Sequence, residues 1–365
     1  MNIVIVGDGK VGYTLAEYLA SEQHDVTIVD RNAVALNKAS DTLDVMCVKG
    51  NGANVRTLLE AGVDTCDILI AVTASDETNM LCCLMSKQLG ANYAISRIRD
   101  PEYTESLSLL QKEMGIDMVV NPERAIASEI SRLFRYPFAA SIETFAHGRV
   151  EMVGFRVEEK DGLAGAPLKD LHGRFPKVLY CVVERDGESI IPGGDFVLRA
   201  GDKLHVAGDL VSITHFFKQL GRNTQRVRSA MLIGGGHISY YLAKSVAGMG
   251  IDMRIIEIKQ HKCEFLSEQL EDVTVIQGDG TEQELLDSEN VKDMDAVVCL
   301  TDRDEENLLT GLFCARRGVG KVIVKVNRLN YIDLLSGRGI ESVVSPKRST
   351  ANVILRTVRA RSHTR

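Results

Sequence analysis

Two hexapeptides hold the residue types from which a phosphate-binding turn is built: Gly7-Asp8-Gly9-Lys10-Val11-Gly12 and Gly234-Gly235-Gly236-His237-Ile238-Ser239. Each follows an apolar run and opens a stretch with apolar residues at helical spacing. In that setting the first glycine of G-x-G-x-x-G makes the tight turn. The second lets backbone approach a pyrophosphate, and the third lets helix and strand pack closely, while helix amides face the anion. Asp30 ends the next apolar run, where a carboxylate accepts hydrogen bonds from a ribose hydroxyl pair and repels a 2′-phosphate. NAD(H) is therefore favoured over NADP(H). ATP and ADP carry the same free ribose, so Asp30 does not separate these two ligand classes.

In the second stretch Gly234, Gly236 and Glu257 keep the turn, the close approach and the ribose carboxylate, while Ser239 replaces the third glycine. A serine there is expected to hold the helix slightly further from the strand, leaving either an altered site or a vestigial one. Thr73 and Ala74 end a further strand at the sheet edge where such folds bind ligands, and a simple strand-to-helix turn is the other reading. Arg97 aligns with Lys325, a cation suited to a phosphate, an adenine face or a neighbouring subunit's carboxylate, or else to a surface ion pair. His147, His172, His205 and His215 lack metal-ligand spacing, and no G-x-S-x-G, H-E-x-x-H or G-x-x-x-x-G-K-[ST] occurs. The sequence thus assigns no catalytic residue and no metal ligand.

The elements that position these residues come in two copies. Gly7, Gly9 and Asp30 match Gly234, Gly236 and Glu257 at an offset of 227. At an offset of 228, Gly50 and Gly52 match Gly278 and Gly280, Thr73 matches Thr301, and Asp76-Glu77-Thr78-Asn79 matches Asp304-Glu305-Glu306-Asn307. Each copy alternates Val/Ile/Leu-rich strands with helical stretches, which implies a parallel sheet covered on both faces. A helix leaves each copy, at Asn121-Pro122 and at Ser345-Pro346. Between the copies, Asp186-Gly187 marks a hairpin, and Ala200-Gly201-Asp202 is expected to join two more strands, FVLR and KLHVAG. The fold class read from this pattern is α/β, two doubly wound parallel-sheet (Rossmann-like) domains at 1–137 and 223–365 separated by a small α+β domain at 138–222.

With 45% hydrophobic and 25% charged residues in 365, the chain has a globular composition. Its formal net charge of −7 argues against duplex nucleic acid as a partner. No apolar run nears the roughly 20 residues of a membrane span, and the N-terminus enters a strand without a signal-peptide pattern. The eight cysteines (47, 66, 82, 83, 181, 263, 299 and 314) show no CxxC pair and read as small core residues of a reducing cytoplasm. The basic tail, Lys347 to Arg365, suggests either an anionic surface or, as the preferred reading, the solvated and subunit-facing side of the closing helix.

The combination of GDGKVG, Asp30, VKGNG, AVTASDETN and SRIRD with the later PLKDL and IIPGGDFVLRAGDKLHVAGD resembles the peripheral nucleotide-binding subunits of Trk potassium-uptake systems, built from RCK (KTN) domains. The resemblance implies an order of nucleotide-binding half, small regulatory half, then both again, of which the fourth unit is missing here. It implies a first NAD(H) site at Gly7, Asp8, Gly9, Lys10, Val11, Asp30, Thr73, Ala74 and Arg97. The second would lie at Gly234, Gly235, Gly236, His237, Ile238, Glu257, Thr301, Asp302 and Lys325. It also implies a homo-oligomeric, tetrameric ring on the cytoplasmic face of the membrane, regulating a membrane-embedded, TrkH/TrkG-like potassium-translocating partner. A dehydrogenase is the alternative, but it requires a proton donor or base beside the nicotinamide, and residues 138–222 offer no convincing candidate.

Overall fold

The apolar, β-branched runs of the first copy form strands buried on both faces. In the computed structural model, which describes residues 1–103, 106–145, 148–222, 226–328, 331, 340 and 342–362, these are β1 (Asn2–Val6), β2 (Asp25–Asp30), β3 (Met46–Lys49), β4 (Ile68–Ala71), β5 (Tyr93–Arg97) and β6 (Met118–Val120). They make one parallel sheet in the order β3-β2-β1-β4-β5-β6. The strand order reverses at the β1–β4 junction, so the loops after β1 and β4 part there and leave a crevice at the carboxyl edge. Asn32, Asn54 and Ser75 cap the helices Ala33–Thr42, Val55–Glu60 and Asp76–Leu89 with side-chain oxygens.

The chain divides into two compact units, Met1–Ile126 with Ser345–Arg365, and Ala127–Val344. Within the first, Ile3, Ile5, Ile28 and Ile70 pack with Leu15 and Leu19 on one face of the sheet. Ala351, Ile354, Leu355 and Val358 of the last helix, Pro346–Ser362, complete the same cluster. The opposite face packs Val4, Val6, Leu69 and Ala71 against Leu58, Met80, Cys82 and Cys83.

The second unit holds two sheets. One is antiparallel, ordered β10-β9-β11-β8-β7, from β7 (Ser141–Phe145), β8 (Val150–Arg156), β9 (Leu179–Arg185), β10 (Glu188–Ile190) and β11 (Lys203–Gly208). The other is the second parallel sheet, ordered β14-β13-β12-β15-β16-β17, from β12 (Ser229–Ile233), β13 (Asp252–Glu257), β14 (Val273–Gln277), β15 (Ala296–Cys299), β16 (Lys321–Lys325) and β17 (Ser342–Val344). The α/β class, with a small α+β element lying in chain order between two doubly wound sheets, is therefore the observed one. Asp186 and Gly187 both have positive φ, 52° and 83°, and turn β9 into β10 as the hairpin signal predicts.

Two expectations are corrected. FVLR is no ladder strand, because both edges of β11 are already taken by β8 and β9; Val197 makes only a single bridge to Pro167. The basic tail is also not simply solvated. Arg359 pairs with Glu22 at 2.5 Å, Arg361 lies 3.4 Å from the Tyr93 ring centroid, and Lys347 is desolvated enough to lower its pKa. His147 falls outside the described residues. All eight cysteines are free, and burial pushes the Cys66 and Cys82 thiols up to about 12, leaving them inert.

Candidate functional site

Five loops at the carboxyl edge of the first sheet enclose a cleft of about 550 Å³. Gly7, Gly9, Lys10 and Val11 line it from the first loop, Asp30 and Arg31 follow β2, and Gly50, Asn51 and Gly52 follow β3. Thr73, Ala74 and Ser75 follow β4, and Arg97 ends β5. Thus most of the residues expected at the first site converge. Asp8 and Gly12 do not line the cleft, and Arg31, Gly50, Asn51, Gly52, Ser75 and Thr78 were not expected there.

The glycines divide the work. Gly7 has φ of 107°, and a Cβ on it would stand 2.9 Å from the Thr73 nitrogen, so only glycine lets the two loops touch. A Cβ on Gly12 would come within 1.8 Å of the Gly7 carbonyl oxygen, which fixes how closely the helix Lys10–Ser21 enters behind the turn. A Cβ on Gly9 would meet nothing within 4 Å. That space stands in front of the first helix amides, where an anion is best placed. The Asp30 carboxylate is held by the backbone N–H groups of Asp8, at 2.6 Å, and Asn32, at 2.8 Å. Each oxygen retains a lone pair for a further donor such as a ribose hydroxyl.

Asn79 is the fastener that sequence reasoning missed. Fully buried, its Oδ1 accepts from the Thr73 N–H at 2.8 Å and hydroxyl at 2.7 Å, while its Nδ2 donates to the carbonyls of Thr73 at 3.2 Å and Arg97 at 2.9 Å. It ties the ends of β4 and β5 together. Asn307 binds the Thr301 N–H and the Thr301 and Lys325 carbonyls in the same way. The signal was present in the repeated DETN and DEEN. Replacing Asn79 by Ala is expected to cost on the order of 1–3 kcal/mol in chemical denaturation, since buried backbone groups lose their partners.

Arg97 is no surface ion pair. Its guanidinium donates to the Thr73 carbonyl, its Nε is buried without a partner, and desolvation, with Arg99 adding repulsion, lowers its pKa. A cation held this way favours an anionic or aromatic ligand face in the cleft.

The second copy repeats the frame with differences. Gly234 has φ of 106°, and a Cβ on it would stand 3.0 Å from the Leu300 carbonyl and 3.1 Å from the Thr301 nitrogen. Glu257 is buried, and its carboxylate accepts from the Gly235 and Lys259 N–H groups, each at 2.8 Å. Ser239 occupies the place where the first copy leaves no room for a Cβ, and its hydroxyl donates to the Gly234 carbonyl at 2.5 Å. Gly236 again faces open space, His237 is exposed and Ile238 buried. Lys325 is buried and lies 3.4 Å from the exposed carboxylate of Asp302.

Residues 3–122 and 230–346 match the TrkA-N domain family, and residues 152–221 match the TrkA-C domain family. The chain belongs to the TrkA family. It is 36% identical over 373 residues to the Trk system potassium uptake protein trkA homolog 1 of Methanosarcina mazei, covering 99% of this chain and 90% of that one. It is 35% identical to the Trk system potassium uptake protein TrkA of Vibrio alginolyticus, covering 98% of this chain and 79% of that one. Among solved structures, the GsuK channel bound to NAD superposes with a TM-score of 0.73 at 20% identity, covering 99% of this chain and 64% of that one, a likeness of fold. These TrkA relatives are named as potassium-uptake proteins and not as enzymes. Among the described residues of this TrkA-family chain, no helix is long and apolar enough to cross a membrane, and no group of three or more His, Cys, Asp or Glu side chains is placed to hold a metal ion.

Proposed function

We propose that this TrkA-family chain is a nucleotide-responsive regulatory subunit of a potassium-uptake system, with NAD(H) the preferred ligand of the first site. The observation that carries the reading is the glycine crevice at the β1–β4 junction, open above Gly9 and closed at its far end by a carboxylate with two free acceptor positions. ADP or ATP satisfies the same ribose contact and is the competitor. In this reading the chain divides into nucleotide-binding domains at 1–137 and 223–365 around a regulatory domain at 138–222. Copies assemble as a ring, a tetramer by family resemblance, on the cytoplasmic face of a membrane-embedded potassium-translocating partner.

A ligand changes conductance only by binding two conformations of such an assembly unequally. Calorimetric titration with NAD+, NADH, ADP and ATP, followed by potassium flux through the co-reconstituted partner with each nucleotide, tests the proposal. Flux indifferent to every nucleotide would overturn it, as would steady oxidation of NADH with any of a panel of oxo acids. Asp30→Ala is expected to weaken NAD(H) binding at the first site by about 1–3 kcal/mol, the scale of hydrogen bonds to a charged group. Unchanged affinity would remove Asp30 from the site.

A further inference from the structure

The two glycine turns differ at one buried position. Asp8 is only 8% exposed, yet neither of its carboxylate oxygens has a hydrogen-bond partner. It stands one residue before the open amides of the turn, and its own N–H is bonded to Asp30, so a second carboxylate lies beside it. The second copy has Gly235 there, where a Cβ would meet the Leu266 side chain at 2.7 Å. At the same offset the first copy has Ala39 in place of Leu266. One copy therefore closes this corner with a hydrocarbon, which shows that packing does not require an acid. Although Asp8 does not line the cleft, an ionised, unpartnered carboxylate buried in the turn behind it is the wrong group for an incoming pyrophosphate, since like charges across a poorly hydrated loop repel strongly.

We infer that Asp8 couples nucleotide binding at the first site to proton uptake, so that this site, unlike the second, binds a dinucleotide more tightly as pH falls. The inference rests on the nucleotide-binding reading above. The proton resides on the Asp8 carboxyl and removes its charge before the phosphates arrive. The groups that act on Asp8 are Asp30 at the end of β2, Lys38 on the helix Ala33–Thr42 and Cys47 on β3, with Lys347 of the last helix placed near Lys10 and Lys38. Desolvation first and Asp30 second raise the Asp8 pKa, and Lys38 opposes them only in part. A bound pyrophosphate raises it further. Binding therefore takes up protons between the free and bound pKa values, and affinity declines as pH rises through that window.

The test is calorimetry of the full chain with NAD+, whose pyrophosphate has no group titrating near neutrality. It is run in EDTA from about pH 5.5 to about pH 8.5, in buffers of differing ionisation enthalpy, on wild type and Asp8→Asn. Expected for wild type is one binding class whose affinity falls by up to about tenfold per pH unit with a buffer-dependent enthalpy, both signatures being lost in Asp8→Asn. Asp8→Gly, which installs the second copy's residue, gives the same readout if the asparagine variant fails to fold. A pH-independent wild type, or a slope that persists in both variants, overturns the inference while leaving nucleotide binding intact. Absence of NAD+ binding at every pH removes the underlying reading as well.

Discussion

Gly9→Asp is expected to weaken NAD(H) binding at the first site at least about a hundredfold, close to 3 kcal/mol, while leaving the fold as stable as before. The two halves of that expectation have separate causes. Gly9 has φ of −77° and ψ of −173°, extended backbone open to any residue, and its Cβ position is unobstructed. It is also the N-cap of the helix Lys10–Ser21, where an aspartate is preferred to glycine and its charge complements the helix dipole. The same carboxylate would fill and repel the space in front of the amides that a pyrophosphate needs. Thermal unfolding should show a midpoint at or slightly above wild type, and calorimetry should show the first site silent. An affinity within about threefold of wild type would place the phosphates elsewhere. Gly7→Ala and Gly12→Ala make the contrast, since both set a Cβ against backbone and should lose stability by about 1–3 kcal/mol.

Arg222→Ala is expected to cost about 3–5 kcal/mol in denaturant unfolding, the largest stability loss foreseen for a single side chain here. Arg222 closes the antiparallel element. Its guanidinium grips the fully buried Asp161 carboxylate through two bonds of 2.8 and 2.6 Å, reaches Glu158 at 2.7 Å and donates to the Arg156 carbonyl at 2.7 Å. Its guanidinium carbon lies 5.5 Å from the Phe155 ring centroid and 5.9 Å from that of Phe138. Asp161 meanwhile holds the Glu158 N–H at 2.8 Å. Removing the arginine leaves a buried carboxylate without its counter-charge, which is worse than having neither group. The double variant Arg222→Met with Asp161→Leu removes the uncompensated charge and should recover part of the loss, the Glu158 N–H then lacking its acceptor. A single-variant cost under about 1 kcal/mol would show that water reaches Asp161 and that the pair is not what holds this corner.

How much of this could be read from residue order depends on the range of the interaction. The glycine turns, the acidic strand ends and the Asp186-Gly187 hairpin are local devices, and each stands where its spacing put it. FVLR failed because a strand needs a free edge to pair with, and which edges are free is decided by β8 and β9, distant in sequence. Asn79 was visible as part of a repeat, but its role depends on two strand ends meeting beside it. Asp8 occupies a position the glycine pattern leaves unspecified; the family resemblance put it in the site without a role, and its burial without a partner gives it one. For the last helix, Ser345-Pro346 marks the start and the basic residues stand out, but that Ala351, Ile354, Leu355 and Val358 cover the first sheet depends on a partner distant in sequence.

That helix has a consequence for biosynthesis. The hydrophobic cluster under the first sheet is finished by Ala351, Ile354, Leu355 and Val358, so strands near the start of this sheet wait on a helix made more than two hundred residues later. At roughly 5–20 residues per second, synthesis of the stretch between Ile126 and Ser345 takes on the order of tens of seconds, during which one flank of that sheet has no cover of its own. Nascent chains halted upstream of Ser345 would then be clients for chaperones, with maturation of the first sheet timed by synthesis of Pro346–Ser362.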